Sequence, residues 1–130
     1  MTRLNPSILI VDDDPVVARM LEVSVRRAGW EAVTCLQPKD AARIAQTINP
    51  KVILCDASMP GMSGPEVIAT LKSDPSTAQI PVVLMTGFAD ADMFVDVAWT
   101  AFLQKPFLPA ELVEVIDRAA RTVIPPVIKD

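Results

Sequence analysis

Five short apolar runs alternate along this chain with longer amphipathic segments, and no other feature restricts the possible folds as much. The runs are SILIV (7–11), EAVTC (31–35), KVILC (51–55), IPVVLM (80–85) and AFLQ (101–104). The segments 15–28, 38–48, 64–73, 89–98 and 108–123 read as helices. Strands of this length joined by helices return to one sheet through crossovers, which predicts parallel strands, right-handed connections and helices on both faces. The expectation is an α/β fold with a five-stranded parallel sheet in the order 2-1-3-4-5. Runs one, three and four are almost wholly apolar, as central strands buried on both sides require.

Punctuation supports these boundaries. Asp14 ahead of Pro15 reads as an N-cap with proline at the first helical position, and Gly29 as the stop of that helix. Pro60, Gly61, Gly64 and Pro65 mark a loop after the third run, and Pro106 and Pro109 flank the entry to the last helix. At 130 residues, 51% of them hydrophobic, the chain is expected to form one domain over 1–124, followed by a tail at 125–130. No output segment follows residue 124, so the chain is expected to be a domain that either stands alone or belongs to a longer protein.

The net charge of -4 and the scattered basic residues argue against direct nucleic-acid contact. No apolar run approaches a membrane span, and MTRLNPS lacks the apolar stretch of a leader, so a cytoplasmic location is expected. With no histidine, imidazole catalysis and imidazole metal ligation are excluded. Cys35 and Cys55 stand at the ends of strands two and three. In the predicted order strand one separates them by roughly 10 Å, too far for an unstrained disulfide.

The carboxyl ends of the strands, where ligands of such sheets sit, carry an unusual set. Asp12 and Asp13 follow strand one, Asp56 follows strand three, Thr86 follows strand four and Lys105 follows strand five. Any one of them alone is an ordinary polar residue where a strand meets solvent. Five at one rim imply a site. Carboxylates gathered within a few ångströms repel one another, but they suit a hard divalent cation with oxygen ligands, Mg²⁺ being the natural candidate. The amine and hydroxyl opposite are donors suited to phosphoryl oxygens. Asp56 can then act as nucleophile, since an ionised carboxylate attacks phosphorus without a base to deprotonate it.

Four blocks, ILIVDDDP (8–15), LCDASMPGMSG (54–64), PVVLMTG (81–87) and FLQKPF (102–107), resemble in order and spacing the response-regulator receiver domains of bacterial two-component signalling. The resemblance covers essentially the whole chain and implies the flavodoxin-like receiver fold. It implies Asp56 as phosphoacceptor, Asp12 and Asp13 as the acidic pair for Mg²⁺, and the Ser58 backbone carbonyl as a further metal ligand. Thr86 is the implied switch hydroxyl, Lys105 the phosphoryl-binding lysine and Phe102 the switch aromatic. Asp14 remains as the helix cap. The Lys105–Pro106 bond is expected to be cis, and the flexible Met59–Gly64 turn to lie beside the site, with Gly64 entering the next helix where a side chain would clash. Ser58 is also placed to influence access of a hydrolytic water. The implied partners are a sensor histidine kinase or phosphotransfer protein and an unknown output protein. The implied activity is that of a switch acting only on its own phosphorylation state, not an enzyme with a separate substrate.

The chain also departs from that pattern. Thr86 and Lys105 are 19 positions apart, a few fewer than usual, which predicts a shortened fourth helix or loops. Ala98-Trp99 and Thr100-Ala101 replace the small pair and acids common there, on the face through which such domains often pair; Trp99 is expected in the core. Three rival readings differ in class. A flavodoxin-type electron carrier would need a hydroxyl- and glycine-rich phosphate loop where this chain has DDDP. A non-phosphorylated adaptor would typically have lost a site residue. A haloacid-dehalogenase-type phosphatase needs two acids spaced as Asp12 and Asp14 are, in a longer chain.

Overall fold

The computed structural model describes residues 7–87 and 100–121. In chain order the elements are β1 (Ser7–Val11), α1 (Pro15–Arg27), β2 (Glu31–Cys35), a 3₁₀ turn (Pro38–Asp40), α2 (Ala41–Ile48), β3 (Val52–Asp56), α3 (Gly64–Lys72), β4 (Val82–Thr86), β5 (Thr100–Gln104) and α4 (Pro109–Ala120). The strands form one parallel sheet in the order β2-β1-β3-β4-β5, the order predicted.

Alternation along the strands divides the core in two. Leu9, Val11, Ile53, Cys55 and Leu84 face α2 and α3, packing with Ala45, Val67 and Leu71. Ile8, Ile10, Leu54, Val83 and Met85 face α1 and α4, packing with Leu21, Val25, Leu112 and Ile116. Every residue of β3 and β4 is buried, which explains why their sequences show no polar face.

The start of α1 fixes the geometry of the rim. The Asp14 carboxylate accepts the backbone N–H groups of Val16 at 2.9 Å and Val17 at 3.4 Å, while Pro15 occupies the first helical position. At the other end Gly29 takes φ +98°, a conformation that favours glycine. The chain then turns into β2, and the Trp30 indole N–H donates to Asp117 Oδ1 at 3.1 Å, joining this turn to α4.

Several boundaries differ from the sequence reading. The segment expected as one helix over 38–48 opens with the separate 3₁₀ turn before α2 begins. Asp56 and Thr86, expected just beyond their strands, are the last residues of β3 and β4 and pair with Met85 and Gln104. Their side chains end the apolar pattern, but their backbones remain in the ladder. The helix expected over 89–98, and Trp99 with it, lies outside the described residues, as does the tail at 125–130.

Val11 pairs with Cys35 on one side and with Cys55 on the other. Two strand spacings therefore separate the cysteines, and both are free and buried. Burial pushes both thiols above their ordinary pKa, that of Cys55 furthest. Among the described residues, no helix is long and apolar enough to cross a membrane.

Candidate functional site

The rim at the carboxyl ends of β1, β3, β4 and β5 brings the predicted site residues together. Strand direction delivers Asp12 and Asp13 from the end of β1 and Asp56 from the end of β3, and these strands are neighbours. One carboxylate oxygen from each of the three acids lies within 4.8 Å of the others. Such a cluster of like charge is costly unless a cation offsets it.

One cation comes from the chain itself. Lys105 Nζ donates to Asp56 Oδ1 at 2.9 Å, reaching from beyond β5 across β4 to the end of β3. The Lys105–Pro106 peptide bond is cis, as expected. Lys105 is further held through its backbone N–H, which donates to the Thr86 carbonyl at 2.8 Å and extends the β4–β5 ladder.

Asp12 is the most enclosed of the acids, 1% exposed. Its Oδ1 accepts the Asp14 N–H at 2.9 Å, and its own N–H donates to the Cys35 carbonyl at 3.1 Å. Its Oδ2 is buried without a hydrogen-bond partner. Burial holds its carboxyl above the usual carboxylate range, and the nearby Asp56 and Asp13 charges push the same way. The Asp14 N–H and the Lys105 ammonium oppose them. A buried carboxylate oxygen with no donor is expensive, and a hard cation is the kind of partner that offsets that cost. The donor set consists of carboxylate oxygens, which suits Mg²⁺ and not a metal that prefers nitrogen or sulfur ligands.

The loop after β3 is shaped by close packing. The Gly64 N–H donates to the Ala57 carbonyl at 2.8 Å, and the Ala57 N–H to the Met85 carbonyl at 2.9 Å. A Cβ on Gly64 would stand 2.7 Å from the Asp56 carbonyl oxygen, 2.9 Å from Ala57 Cα and 2.6 Å from Leu84 Cδ1. Glycine is therefore required there by approach to the backbone of the acid itself. Gly61 takes φ +83° in the same loop. Ser63 caps α3 by accepting the Glu66 N–H, and Glu66 accepts the Ser63 N–H in return. Ser58 is exposed between Asp56 and this turn.

Thr86 is buried at the end of β4, and its register partner on β5 is Gln104. Phe102 lies two residues back along β5, so Thr86 and Phe102 share one face of the sheet as diagonal neighbours. Phe102 is 45% exposed, where a bland core phenylalanine would be covered.

The chain matches a known family. The response regulator receiver domain matches residues 8–117. The chain belongs to that family. Among relatives of this receiver domain, Protein Rrf1 of Nitratidesulfovibrio vulgaris is 34% identical over 115 residues, which cover 88% of this chain and 83% of Rrf1. The phosphate regulon transcriptional regulatory protein PhoB of Pseudomonas aeruginosa is 33% identical over 113 residues, covering 85% of this chain; the receiver spans only about half of PhoB, 49%. Among solved structures, the receiver domain of the sensor histidine kinase PA1611 from Pseudomonas aeruginosa PAO1 superposes with a TM-score of 0.83 at 24% identity, over 92% of this chain and 100% of that one. That structure has a magnesium ion coordinated in its active-site cleft.

The receiver assignment places the chain in two-component signalling. It removes the electron-carrier and phosphatase readings. Asp14, the second acid that a dehalogenase-type phosphatase would need, is occupied in capping α1. Sequence reading alone missed two supports of the site, the Cys35 carbonyl that holds Asp12 and the Lys105–Thr86 backbone bond. Both are backbone contacts that no side-chain pattern encodes.

Proposed function

We propose that Asp56 is the phosphoacceptor of this receiver and that Asp12, Asp13 and Asp56, with the Ser58 carbonyl, hold Mg²⁺. The observation that carries the reading is the acid trio with Lys105 hydrogen-bonded to Asp56 from the opposite side. The PA1611 receiver, with magnesium in its cleft, supports the choice of metal.

In this reading a carboxylate oxygen of Asp56 attacks the phosphorus of a phosphohistidine on a sensor kinase or phosphotransfer protein, or of a small acyl phosphate. The new O–P bond forms as the bond from phosphorus to the donor breaks, and the electron pair leaves with the imidazole or the carboxylate. The bound cation supplies charge neutralisation for the entering phosphoryl group. Lys105 moves its hydrogen bond from the Asp56 carboxylate to a phosphoryl oxygen, which keeps a donor aimed at the developing charge. Thr86 then turns its hydroxyl toward the phosphoryl group, and Phe102 rotates into the space it leaves. The phosphorylated state is thereby coupled to the outer face of β5, a two-state element biased by a local modification.

The chain acts as a switch on its own phosphorylation state, in the cytoplasm, with a kinase or phosphotransfer protein upstream and a separate output partner downstream. The domain proposed for this role spans 1–124.

Intact mass after incubation with acetyl phosphate and Mg²⁺ tests the proposal. The wild type is expected to gain one phosphoryl group that survives acid and is lost in base, and Asp56→Asn to gain none. An unchanged wild-type mass, together with no response to Mg²⁺ and beryllofluoride, would favour the adaptor reading, in which the fold serves protein binding alone.

A further inference from the structure

Strand β2 lies at one end of the sheet, paired with β1 on its inner side and with no other strand among the described residues. The Asp12 N–H donates to the Cys35 carbonyl, so Cys35 and, two residues back, Val33 turn their backbone groups toward β1. Ala32 and Thr34 therefore turn theirs outward. An outward row of this kind is a template for another strand. The sequence EAVTC does little to spoil it, since it holds no proline, lysine or arginine and its one charge, Glu31, stands at its start. Val33 is 38% exposed, an apolar side chain left uncovered in the middle of the edge.

One outward group is nevertheless taken. Arg26, in the last turn of α1, donates through Nη2 to the Ala32 carbonyl at 2.8 Å. Its Nε donates to Glu22 Oε2 at 3.1 Å, and Glu22 Oε1 accepts from Arg19 Nη1 at 3.1 Å. The planar guanidinium is thus held on two sides and laid across the strand edge. The helix macrodipole favours a base in this turn, but it does not aim one at a strand carbonyl.

The outward groups are symmetric about Val33. Two copies of β2 laid antiparallel on a twofold axis at Val33 set Ala32 of each against Thr34 of the other. Each of these pairs exchanges two backbone hydrogen bonds, and Val33 meets its twin at the close position between them, with Cα atoms about 4.5 Å apart. Half of those bonds need the Ala32 carbonyl, which Arg26 occupies in each copy. We propose that the outer edge of β2 is a self-pairing surface and that Arg26 is the strap that holds it closed, so that the sheet does not run on into that of a second copy.

The test follows whole chains at rising concentration by sedimentation velocity, together with the rate at which Val33→Cys forms an intermolecular disulfide in air. The native thiols are buried and stay outside that reaction. Arg26→Ala is expected to self-associate roughly tenfold or more tightly than the wild type, because it frees one acceptor in each copy. Arg26→Ala/Val33→Cys is expected to cross-link correspondingly faster than Val33→Cys alone. Arg26→Ala/Val33→Lys sets two lysines on the axis and is expected to return association to the wild-type level. Should the alanine variant unfold, Arg26→Met keeps the length of the stem, lacks the donor and takes its place in each comparison. The proposal is overturned if a folded strap variant, as judged by circular dichroism, associates no more than the wild type. It is equally overturned if Val33→Cys cross-links as fast with Arg26 present as without it, or if Val33→Lys leaves the association untouched.

Discussion

Lys105 reaches across β4 to place its ammonium 2.9 Å from Asp56 Oδ1. The ion pair joins two strand ends that are not neighbours, and it puts a cation and the proposed phosphoacceptor on the same crevice. The Lys105 side chain is 38% exposed but that of Asp56 only 12%, so solvent screens the pair from one side and removing the lysine leaves the acid trio without this cation.

Lys105→Ala is therefore expected to lower the unfolding free energy by about 1–3 kcal/mol. Labelling by acetyl phosphate should slow by roughly 10²-fold, the usual cost of removing one donor aimed at developing charge. Urea unfolding and a labelling time course separate the two effects. A loss of stability without a loss of labelling would make the lysine a structural partner of Asp56 only.

Gly64 tests the packing behind the acid. A methyl group there meets the Asp56 carbonyl at 2.7 Å and Ala57 Cα at 2.9 Å, both backbone atoms that cannot swing aside. Gly64→Ala is expected to destabilise the fold by about 1–3 kcal/mol, measured by urea unfolding, and to slow labelling of Asp56 because the strained segment includes it. Unchanged stability would show that the loop shifts freely.

The architecture was legible because it rests on side-chain patterning. β1 and β2 occur where the apolar runs fall, and α1 begins and ends at the Asp14-Pro15 and Ala28-Gly29 signals. The errors have one physical cause. Asp56 and Thr86 break the apolar runs, yet their backbones remain paired, and amide pairing leaves no trace in residue type. The 3₁₀ turn at Pro38–Asp40 was hidden for the same reason, since Pro38 suits a first helical turn of either kind. Asp12, Asp13, Asp56 and Lys105 were legible as a site because strand order alone carries them to one rim. The single buried oxygen without a partner, Asp12 Oδ2, depends on three-dimensional packing and was not legible.

The third acid of the DDD run has a different role, and a substitution distinguishes it. The Asp14 carboxylate stands outside the acid trio and accepts two N–H groups at the start of α1. Asp14→Ala is expected to cost about 1 kcal/mol of stability while leaving the one-phosphoryl mass gain intact. Thermal unfolding and intact mass provide the two readings. Loss of labelling in a folded Asp14→Ala protein would return this residue to the site.

Asp12 makes the stability of the fold depend on pH in a defined direction. Its carboxyl titrates above the unfolded value of 3.8, chiefly because of burial, so the folded state holds this proton more tightly than the unfolded chain does. Its contribution to stability is fully present below 3.8 and is lost as pH rises through the folded-state pKa. At neutral pH the ionised, half-satisfied carboxylate is then a net cost. Asp12→Asn should be more stable than the wild type at pH 7, by about 1 kcal/mol, with the difference vanishing in acid. Mg²⁺ should raise the melting temperature of the wild type at pH 7, because a ligand that binds only the folded state stabilises it. The same addition should do little for Asp12→Asn. Parallel melts of both proteins across pH, with and without Mg²⁺, provide the check. A wild type whose Mg²⁺ response persists unchanged below pH 3.8 would show that the cation binds elsewhere than at this carboxylate.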